Sequence, residues 1–596
     1  MNAALDYQPT GKTLAEAIAN APNIYPNNGF TFIDMAGNDT FWPFSEVEAE
    51  SAARAKALQD LGLKKGDRVG LIIIEPQDFV LSFLAAARVG IVAVPLYPPM
   101  SMGELDSYVD RLTGILTTAQ AKMVVASEKL NNVLWQVVDK VPTCSKFVAV
   151  ESLGATGTPV YPEITEDDIC FLQYTSGSTS DPKGVIVPHK ALVANVMVTV
   201  QHLGLDPHKD VSLAWLPLYH DMGLIGFVMS SVIFGKSCVL IPTLRFLKRP
   251  NVWLQAVHDH KATITFCPPF ALPLAARRAK DKQLDTWDLS SLHTVGVGAE
   301  PIHPEGVRQF TEVFSTRCKM PATAVAPAYG MAEATLAITL KKRGTLIRTG
   351  VVNAELFQDE GLAVDAEGET IALEHVSCGI PFPGHEVQIY NNETGSFSDE
   401  EGREGEVCTR GPSIAPGYFE NPEATADAWR DGWLHTGDLG YMRDGELYVT
   451  GRLKDLLIIN GRNMHPQSIE WLVQELDGVR KGNVVAFSVP GVSTEEVVVA
   501  LEKRGDGDSD ELASRVRDVV SAEFGIAISE VVVLEPGLLP KTSSGKLQRR
   551  KARQYFMRGL LGKTGARTQG SSADAVTLAK HMARSVWARV KNKVSN

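Results

Sequence analysis

The sequence has few cysteines, and they form no pattern that binds a metal or builds disulfides. Seven of them are scattered over 596 residues, without a CxxC pair. A zinc knuckle needs closely spaced cysteines, and a disulfide framework needs a compact chain that is rich in them. The sequence therefore argues against both, and it predicts a reducing compartment.

The chain also lacks a surplus of positive charge, because its formal net charge is −12 at pH 7. General nucleic-acid binding needs a basic surface that neutralises phosphates, so no nucleic-acid partner is expected. The longest apolar run, around residues 224–235, falls short of the roughly 20 residues that a membrane-spanning helix needs. We interpret it as a buried core element and expect no integral membrane segment. The first seven residues lack a basic region followed by an apolar one, so we expect no secretory signal and a cytoplasmic location.

What the sequence does contain is an alternation of apolar strands and helices. Residues 69–74 and 91–96 are predicted strands, and residues 77–89 between them are a predicted helix. Strands return at residues 122–126 and 263–266. Such alternation is typical of a mostly parallel sheet that is covered by helices on both faces. At 596 residues the chain exceeds a single core and is expected to form several domains.

The pattern changes twice after this N-terminal part. Short strands and turns begin near residue 375 and predict a small β-rich subdomain that completes a body over residues 1–453. A separate α/β unit follows over residues 454–560, long enough for a small domain. Residues 561–596 combine a Gly/Ser-rich linker with a basic amphipathic tail. This tail has no role on one reading, and on another it docks on the body, on a partner or on a membrane surface.

The most informative stretch is a loop rich in hydroxyls and glycine that ends in a lysine. Apolar residues at 169–172 and 185–187 predict a strand on either side of it. The loop residues that we single out are Thr175, Ser176, Gly177, Ser178, Thr179 and Lys183. Backbone N–H groups and hydroxyls of such a loop converge on an anion, and the lysine adds a full charge. Because the spacing differs from the GxxxxGK[ST] of a P-loop, we predict a phosphate cradle of another kind.

Two further motifs follow apolar segments. His220 is delivered by residues 215–219 into a bend that contains Gly223, where side chains usually line a cleft. Residues 298–301 follow the predicted strand at 294–297, but Pro301 replaces the third glycine of a dinucleotide fingerprint. A hydride-transferring enzyme of the Rossmann type is therefore not expected.

Three more motifs place single charged residues in turns. Tyr329 can stack on a base, and Glu333, four positions on, can hold Mg²⁺ through oxygen. Asp438 ends the segment 433–438 at a tight turn, which suits it to accept the hydroxyls of a ribose. Lys546 lies in a turn of serines and glycine that can direct its ammonium. Taken singly, each of these is also typical of an ordinary turn.

The order of these motifs along the chain resembles the adenylate-forming superfamily, which contains acyl-CoA synthetases, firefly luciferase and the adenylation domains of nonribosomal peptide synthetases. Within it, the sequence looks most like a fatty-acyl-AMP ligase. The likeness covers about residues 10–560, and it depends on segments 174–179, 215–224 and 329–335 and on an extra segment at 351–376. Fatty-acyl-AMP ligases carry an insertion there that is associated with failure to use coenzyme A. A tolerated surface loop is the alternative.

The resemblance implies an α/β fold. It consists of a large N-terminal body of two doubly wound α/β subdomains plus a small β-barrel-like subdomain, and a small, mobile α+β C-terminal domain. The implied reaction uses ATP and Mg²⁺ to convert a fatty acid to fatty acyl-AMP with release of pyrophosphate. The acyl group then passes to the phosphopantetheine thiol of an acyl carrier protein, in polyketide, lipopeptide or lipid synthesis. A fatty acyl-CoA synthetase is the first alternative, and a catalytically silent nucleotide- or lipid-binding protein is the second.

The resemblance also implies roles for individual residues. Residues 175–183 hold the β- and γ-phosphates, Glu333 binds Mg²⁺, and Asp438 with Arg452 holds the ribose. Adenine is enclosed by Gly298, Ala299, Glu300, Pro301 and Tyr329, and the nucleotide-binding set also includes Gly330, Met331 and Ala332. Lys546 contacts the incoming carboxylate and the α-phosphate, and rotation about Lys454 exposes the adenylate for the second step.

His220 completes the implied catalytic set. The implied acyl pocket is an apolar tunnel whose wall contains Met222, Ile225, Phe227 and Phe270, although ordinary core packing would explain each of them equally well. Two positions depart from the family. Ser180 stands where many relatives have glycine, and Asp221 lies near the acid with which amino-acid-activating relatives pair the substrate amine. An amino-acid substrate therefore stays open as a minor alternative.

Overall fold

A computed structural model of the chain describes residues 7–99, 105–175, 182–368, 370–459, 462–491, 495–542 and 545–563. The predicted phosphate-loop residues Ser176, Gly177, Ser178 and Thr179 lie outside these ranges, as does Ser180. The predicted linker and tail lie outside them from residue 564 onwards.

The described part contains eighteen α-helices, one π-helix and twenty-eight strands. Up to the phosphate loop these are α1 (Leu14–Ile24), β1 (Gly29–Ile33), β2 (Asp39–Pro43), α2 (Phe44–Asp60), β3 (Arg68–Ile72), α3 (Pro76–Arg88), β4 (Val92–Pro95), α4 (Leu105–Thr118), β5 (Met123–Ala126), α5 (Asn131–Lys140), β6 (Lys146–Ala149) and β7 (Ile169–Tyr174). Up to the β-rich part they are β8 (Gly184–Pro188), α6 (His189–His202), β9 (Val211–Ala214), α7 (Asp221–Gly223), the π-helix (Leu224–Met229), α8 (Ser230–Phe234), β10 (Ser237–Leu240), α9 (Thr243–Lys248), α10 (Val252–His260), β11 (Ile264–Cys267), α11 (Ala271–Arg278), α12 (Asp281–Leu284), β12 (Thr294–Val297), α13 (Pro304–Cys318), β13 (Val325–Gly330), β14 (Ala337–Leu340), β15 (Thr349–Asn353), α14 (Ala354–Glu360), β16 (Ala372–Val376) and β17 (Ile380–Pro381). The rest are β18 (Glu386–Asn391), β19 (Ser396–Ser398), β20 (Gly405–Arg410), α15 (Pro422–Ala428), β21 (Trp429–Arg430), β22 (Trp433–Arg443), β23 (Glu446–Arg452), β24 (Leu457–Ile459), β25 (Arg462–Met464), α16 (Pro466–Gln474), β26 (Val479–Pro490), β27 (Glu495–Lys503), α17 (Ser509–Phe524), β28 (Ile528–Leu534) and α18 (Arg549–Met557).

Two mostly parallel sheets form the larger part of the body. One has nine strands in the order β17-β14-β13-β12-β11-β9-β10-β1-β2, and the other has six in the order β6-β5-β3-β4-β7-β8. The residues of β4 and β5 are all buried, as expected for parallel strands that helices cover on both faces. The predicted α/β alternation is therefore confirmed, with element boundaries within about two residues of those expected.

The predicted strand–loop–strand arrangement around the phosphate loop is also confirmed. Strands β7 and β8 pair as an antiparallel hairpin, with Tyr174 opposite Gly184. The hairpin closes where the backbone N–H of Thr175 donates to the carbonyl oxygen of Lys183 at 3.1 Å. Thr175 and Lys183, on either side of the loop, are therefore neighbours, and both line the active-site cleft.

The β-rich part after residue 380 is an antiparallel sheet in which the long strand β22 pairs with β20, β21 and β23. Beside it, β15 and β16 form a hairpin that carries α14, and this hairpin spans the predicted insertion at 351–376. Phe357 of α14 packs with Tyr441 and Tyr448 in a small core of its own. The insertion is therefore anchored on the body by buried aromatic side chains.

The C-terminal part has its own sheet, β26-β27-β28, and a short hairpin of β24 and β25. Helices α16 and α17 cover one face of this sheet, and their apolar residues form a core that is separate from the core of the body. Helix α17 begins at Asp508, whose carboxylate accepts the N–H groups of Asp510 and Glu511, and it ends at Gly525 with φ +65°. A separate core is what a small independent domain requires. None of the helices in the described ranges is long and apolar enough to cross a membrane.

Candidate active site

A single cleft of about 1930 Å³ separates the body from the C-terminal domain, and every described residue of the predicted site lines it. The carboxyl ends of β11, β12 and β13 reach this cleft, which is where ligands bind in open α/β sheets. The C-terminal domain closes the opposite side with residues of α16 and with the turn that contains Lys546. The sequence motifs are therefore brought together in one place.

The centre of the cleft holds a chain of three polar side chains from three strands. Tyr329 of β13 donates its hydroxyl to Asp438 Oδ2 at 2.8 Å, and Arg452 Nε donates to Asp438 Oδ1 at 2.9 Å. Register in the sheet accounts for the second contact, since Asp438 of β22 lies opposite Arg452 of β23. Burial and the charge of Asp438 raise the pKa of Tyr329, so this phenol stays protonated and donating. The carboxylate is thus fixed in direction, as a group that binds a ribose diol must be.

A buried cluster behind this carboxylate supports the turn that carries it. Glu406 Oε1 accepts the backbone N–H of Gly437 at 2.9 Å, and Glu406 Oε2 lies 3.0 Å from Nδ1 of His435. Cys408 Sγ is 3.3 Å from the same His435 nitrogen. These three side chains are the one group of potential metal ligands found within the described ranges. Burial raises the pKa of the Cys408 thiol, which therefore stays protonated and acts as a packing group.

Glu333 lies in a short 3₁₀ turn (Ala332–Ala334) directly after β13. Its Oε1 accepts the hydroxyl of Tyr418 at 2.8 Å, and Tyr418 also stacks its ring beneath the Lys183 ammonium, 4.8 Å from the ring centre. Burial raises the pKa of the Glu333 carboxyl. A buried carboxylate without a cation beside it is unfavourable, so the donor set fits a hard divalent cation such as Mg²⁺. Tyr418 was missed by the sequence analysis, although Gly417 before it marks a turn.

His220 and Asp221 form a close pair where α7 begins. Nδ1 of His220 lies 2.5 Å from Oδ1 of Asp221, and the same oxygen accepts the backbone N–H of Met222 at 2.7 Å. Burial opposes ionisation of Asp221, but the His220 beside it holds the pKa of Asp221 below its usual value. The Asp221 carboxylate is therefore already paired with His220. This pairing does not favour the minor alternative, in which Asp221 pairs with the amine of an amino-acid substrate.

The predicted adenine-binding segment, residues 298–301, follows β12 and passes close to the backbone of β13. Any Cβ on Gly298 would lie 2.5 Å from the carbonyl oxygen of Ala328, so only glycine fits there. Ala299 has φ +74°, a conformation that non-glycine residues rarely adopt. Burial raises the pKa of Glu300 beside it. Strained backbone of this kind clusters at ligand sites.

Lys546 reaches across the cleft from the C-terminal domain. Its ammonium donates to the carbonyl oxygen of Ala299 at 2.9 Å, so it bridges the two halves of the protein. Burial lowers the pKa of Lys546, against the charges of Glu300, Asp221 and Asp438, which favour the ammonium. The lysine is thus a half-buried cation near acidic groups. An incoming anion there would be strongly attracted.

The four predicted acyl-pocket residues, Met222, Ile225, Phe227 and Phe270, all line the cleft. Beyond them an apolar arm extends into the body. Its wall contains residues that the sequence analysis did not single out: Val196, Thr199, Val200, Leu203, Gly226, Ser230, Lys236, Leu336 and Ala337. The π-helix supplies Gly226, and π-helical turns are frequent at functional sites. No sequence signal identified this helix, because its residues are uniformly apolar.

Comparison with known proteins gives a consistent picture. A family model described as AMP-binding enzyme matches residues 21–419. A Caulobacter vibrioides protein that is provisionally named an acyl-CoA synthetase is 35% identical over 566 residues, which is 94% of this chain and 95% of that protein. The medium-chain-fatty-acid–[acyl-carrier-protein] ligase JamA of Moorena producens is 32% identical over 559 residues, covering 89% of this chain and 92% of JamA. A solved chain from structural and functional studies of fatty acyl-adenylate ligases of E. coli and L. pneumophila superimposes with a TM-score of 0.86 at 33% identity, over 94% of this chain and 99% of that one.

Proposed function

The chain belongs to the AMP-binding enzyme family and, within the adenylate-forming superfamily, to the fatty-acyl-AMP ligases; from this premise we propose its complete reaction. It joins a fatty acid to the AMP part of ATP, releases pyrophosphate, and then transfers the acyl group to the phosphopantetheine thiol of an acyl carrier protein. The name of JamA, which describes a ligase of an acyl carrier protein, supports the second half of this proposal.

The observation that carries the proposal is the position of the Lys546 ammonium, 2.9 Å from the Ala299 carbonyl oxygen. In the first step a carboxylate oxygen of the fatty acid attacks the α-phosphorus, and the bond from that phosphorus to the pyrophosphate oxygen breaks. Negative charge builds on the phosphoryl oxygens during this displacement. The ammonium of Lys546 stabilises that charge, and loss of one such contact commonly costs roughly 10²-fold or more in rate.

The other residues bind and orient the nucleotide. Asp438, directed by Tyr329 and Arg452, accepts the ribose hydroxyls. Lys183 supplies charge to the phosphates at the closed end of the β7–β8 hairpin. Residues 298–301 and 329–332 enclose the adenine.

Glu333 would hold Mg²⁺, which when bound neutralises phosphate charge and assists departure of pyrophosphate. The carboxylate of Asp221 keeps His220 in a fixed orientation at the mouth of the apolar arm, next to Met222. His220 is thereby placed to orient the substrate carboxylate, so we assign it to the catalytic set.

The second step requires a rearrangement. Lys546 occupies the cleft from the C-terminal domain, so that domain has to turn away before a thiol can approach the adenylate. Lys454 lies in the short 3₁₀ turn that links body and C-terminal domain, and we assign the rotation to it. The thiol loses its proton and attacks the acyl carbon as a thiolate, and AMP leaves with the electrons of the broken acyl–phosphate anhydride bond.

Transfer to coenzyme A is the second candidate, and the provisional name of the Caulobacter relative favours it. One assay separates the two. The protein is incubated with ATP, Mg²⁺ and a fatty acid until acyl-AMP has formed, and then coenzyme A or a phosphopantetheinylated carrier protein is added. We expect acyl-AMP to persist with coenzyme A and to be consumed by the carrier. Efficient acyl-CoA formation would favour the second candidate. Absence of acyl-AMP with acids of every chain length would instead leave only a silent binding protein.

A further inference from the structure

The apolar arm is the part of the cleft whose lining residues lie between the acyl-pocket residues and the amino ends of β10 and β11. Near the active site it is lined by Gly226 and Leu336, which lie close to one another: a Cβ placed on Gly226 would be 3.5 Å from the Leu336 side chain. At its other extreme it is lined by Ile264, the first residue of β11, and by Lys236, which directly precedes β10. Residues 298–301 and Glu333 follow the carboxyl ends of the neighbouring strands β12 and β13, so Lys236 lies at the opposite end of the strands. A strand of four residues is about 13 Å long.

One face of α6 forms the side wall along this path. Val196, Thr199, Val200 and Leu203 recur at helical spacing, and all of them line the arm. Asn195, one turn before Thr199, also lines the cleft, so this wall is apolar except at Asn195 and Thr199. The Thr199 hydroxyl is buried and has no hydrogen-bond partner among the residues that the structure describes. An apolar chain alone would leave this hydroxyl unsatisfied, which is unfavourable.

The far end of the arm is not apolar. Lys236 is 2% exposed, and its ammonium donates to the hydroxyls of Ser230 at 2.6 Å and Ser231 at 3.2 Å. An ammonium has three N–H donors, and these two neutral hydroxyls account for two of them. Burial lowers the pKa of Lys236 to about 8, so most of it is still charged at neutral pH.

Neighbouring groups balance this charge only in part. Asp210 favours the charged form of Lys236 from a distance. Its carboxylate is already engaged, because Oδ1 lies 2.8 Å from His293 Nε2 and accepts the hydroxyl of Thr263 at 2.8 Å, while Oδ2 accepts the backbone N–H of Asp206 at 2.7 Å. Cys238, the other group that favours the charge, has its own pKa raised by burial and stays a thiol. A purely hydrocarbon tail at this end would face a charged and incompletely satisfied donor.

A second buried lysine shows what a purely structural arrangement looks like. Lys341 is 6% exposed, and burial lowers its pKa to about 8 as well. Its ammonium donates to the backbone carbonyl oxygens of Thr323 and Thr345, and it does not line the cleft. Lys236 differs in both respects, since its partners are hydroxyls and it faces the arm.

We infer that the far end of the arm is a subsite for an oxygen-bearing group on the substrate, and that the enzyme prefers fatty acids that carry a hydroxyl, carbonyl or carboxylate oxygen near the end of the chain. The Lys236 ammonium donates to that oxygen. This inference rests on the proposed function, because it concerns the acid that the enzyme adenylates.

The test compares acids of equal length with and without a terminal oxygen. Pyrophosphate release is measured for plain, ω-hydroxy and ω-carboxy acids across medium and long chains, with the wild-type protein and with Lys236→Met. A site built to bond an oxygen commonly rejects the analogue without it by roughly 10²-fold or more in kcat/KM. We expect that preference in the wild type and its loss in Lys236→Met, with activity on plain acids retained. Lys341→Met is the matched control and should keep the wild-type preference.

The possible failures are distinct. The inference is overturned if the wild type uses plain acids as well as or better than ω-hydroxy and ω-carboxy acids, and if Lys236→Met leaves this ratio of kcat/KM values unchanged. The proposed function would then stay intact. Absence of adenylation with every acid overturns the proposed function itself. If Lys236→Met does not fold, a competition experiment with the wild-type protein replaces it. An ω-hydroxy acid should then inhibit activation of the plain acid of equal length at a concentration far below the KM of the plain acid. Inhibition only at or above that KM overturns the inference.

Discussion

Among single residues, Tyr418 connects two parts of the site that the sequence analysis treated separately. Its hydroxyl donates to the Glu333 carboxylate, and its ring lies under the Lys183 ammonium. It therefore links the predicted metal ligand to the predicted phosphate ligand, although neither motif contains it. Because Tyr418 follows β20 and Glu333 follows β13, this link depends on tertiary structure and could not be read from either motif.

Tyr418→Phe removes the donor to Glu333 and keeps the ring under Lys183. Loss of a group that orients a metal ligand commonly weakens the metal about 10- to 100-fold. We expect the Mg²⁺ concentration for half-maximal pyrophosphate release to rise by roughly tenfold or more. Tyr441→Phe is the control, because that buried hydroxyl contacts His375 and lies outside the cleft. An unchanged Mg²⁺ requirement in Tyr418→Phe would contradict the role of Glu333.

The charge state of Lys546 makes adenylation pH-dependent. Burial lowers the pKa of this ammonium below that of an ordinary lysine, and only the charged form stabilises the phosphoryl oxygens. The rate should therefore fall as pH rises through this lowered pKa, at a lower pH than an unperturbed lysine would give. Lys546→Arg keeps its charge over this range. A pH profile of ATP–pyrophosphate exchange should show the alkaline decline in the wild type and a later one in Lys546→Arg. Coincident declines would exclude Lys546 as the titrating group.

Among the structural elements, the insertion hairpin of β15, α14 and β16 is placed to influence the C-terminal domain. Phe357 of α14 lies 6.2 Å, ring to ring, from His465 at the start of α16. His465 Nε2 lies 2.9 Å from Glu404 Oε1 of the body. The hairpin thus packs against one of the contacts between the two domains, and we propose that it restricts their rotation.

Phe357→Ala tests whether the insertion restricts the choice of thiol. Truncation of a buried phenylalanine costs about 3–5 kcal/mol, here in a small core that only the insertion and two tyrosines share. We expect the insertion to loosen and acyl-CoA formation to rise above the wild-type level. Phe314→Ala removes an equally buried ring from the main core of the body and should lower stability without this gain. Equal acyl-CoA formation in both variants would reject the restriction.

The π-helix determines the width of the apolar arm at Gly226. A leucine there would project towards Leu336 and narrow the arm beyond the catalytic residues. Gly226→Leu should lower kcat/KM for long acids far more than for short ones, measured as pyrophosphate release over a series of chain lengths. Gly114→Leu is the control, because that helical glycine is exposed and a Cβ there meets nothing within 4 Å. A uniform loss across all lengths would show that Gly226 does not border the substrate.

Features that depend on residues close together in the sequence were predicted, and features that depend on contacts between distant segments were not. Strands such as β3 and β4 were predicted correctly because their apolar runs are local signals. Lys236 was not predicted as a site residue, because a lysine between Gly235 and a strand is typical of a surface turn. Its ammonium bonds to Ser230 and Ser231 of α8, which directly precedes it, but α8 is covered by α6, which is distant in sequence. The assignment of the Tyr329–Asp438–Arg452 group came from family resemblance, and the hydrogen bonds within it became visible only in the structure.

At the scale of the whole molecule, the proposed mechanism depends on the contact between two separately packed domains. The C-terminal domain has its own core, and it meets the body through Lys546 on Ala299, His465 on Glu404 and Trp471 on His303. Domain interfaces built from few, mostly polar contacts favour relative motion. The C-terminal domain can therefore deliver Lys546 for the first step and withdraw it for the second.

The most direct measurement is ATP–pyrophosphate exchange by Lys546→Met in the presence of a fatty acid, together with ATP binding by the same variant. Lys503→Met is the control, because that lysine also lies in the C-terminal domain but pairs with Glu535 outside the cleft. We expect Lys546→Met to lose exchange by roughly 10²-fold or more while it still binds ATP, and Lys503→Met to resemble the wild type. Exchange at the wild-type rate in Lys546→Met would contradict the claim that this lysine stabilises the transition state of adenylation.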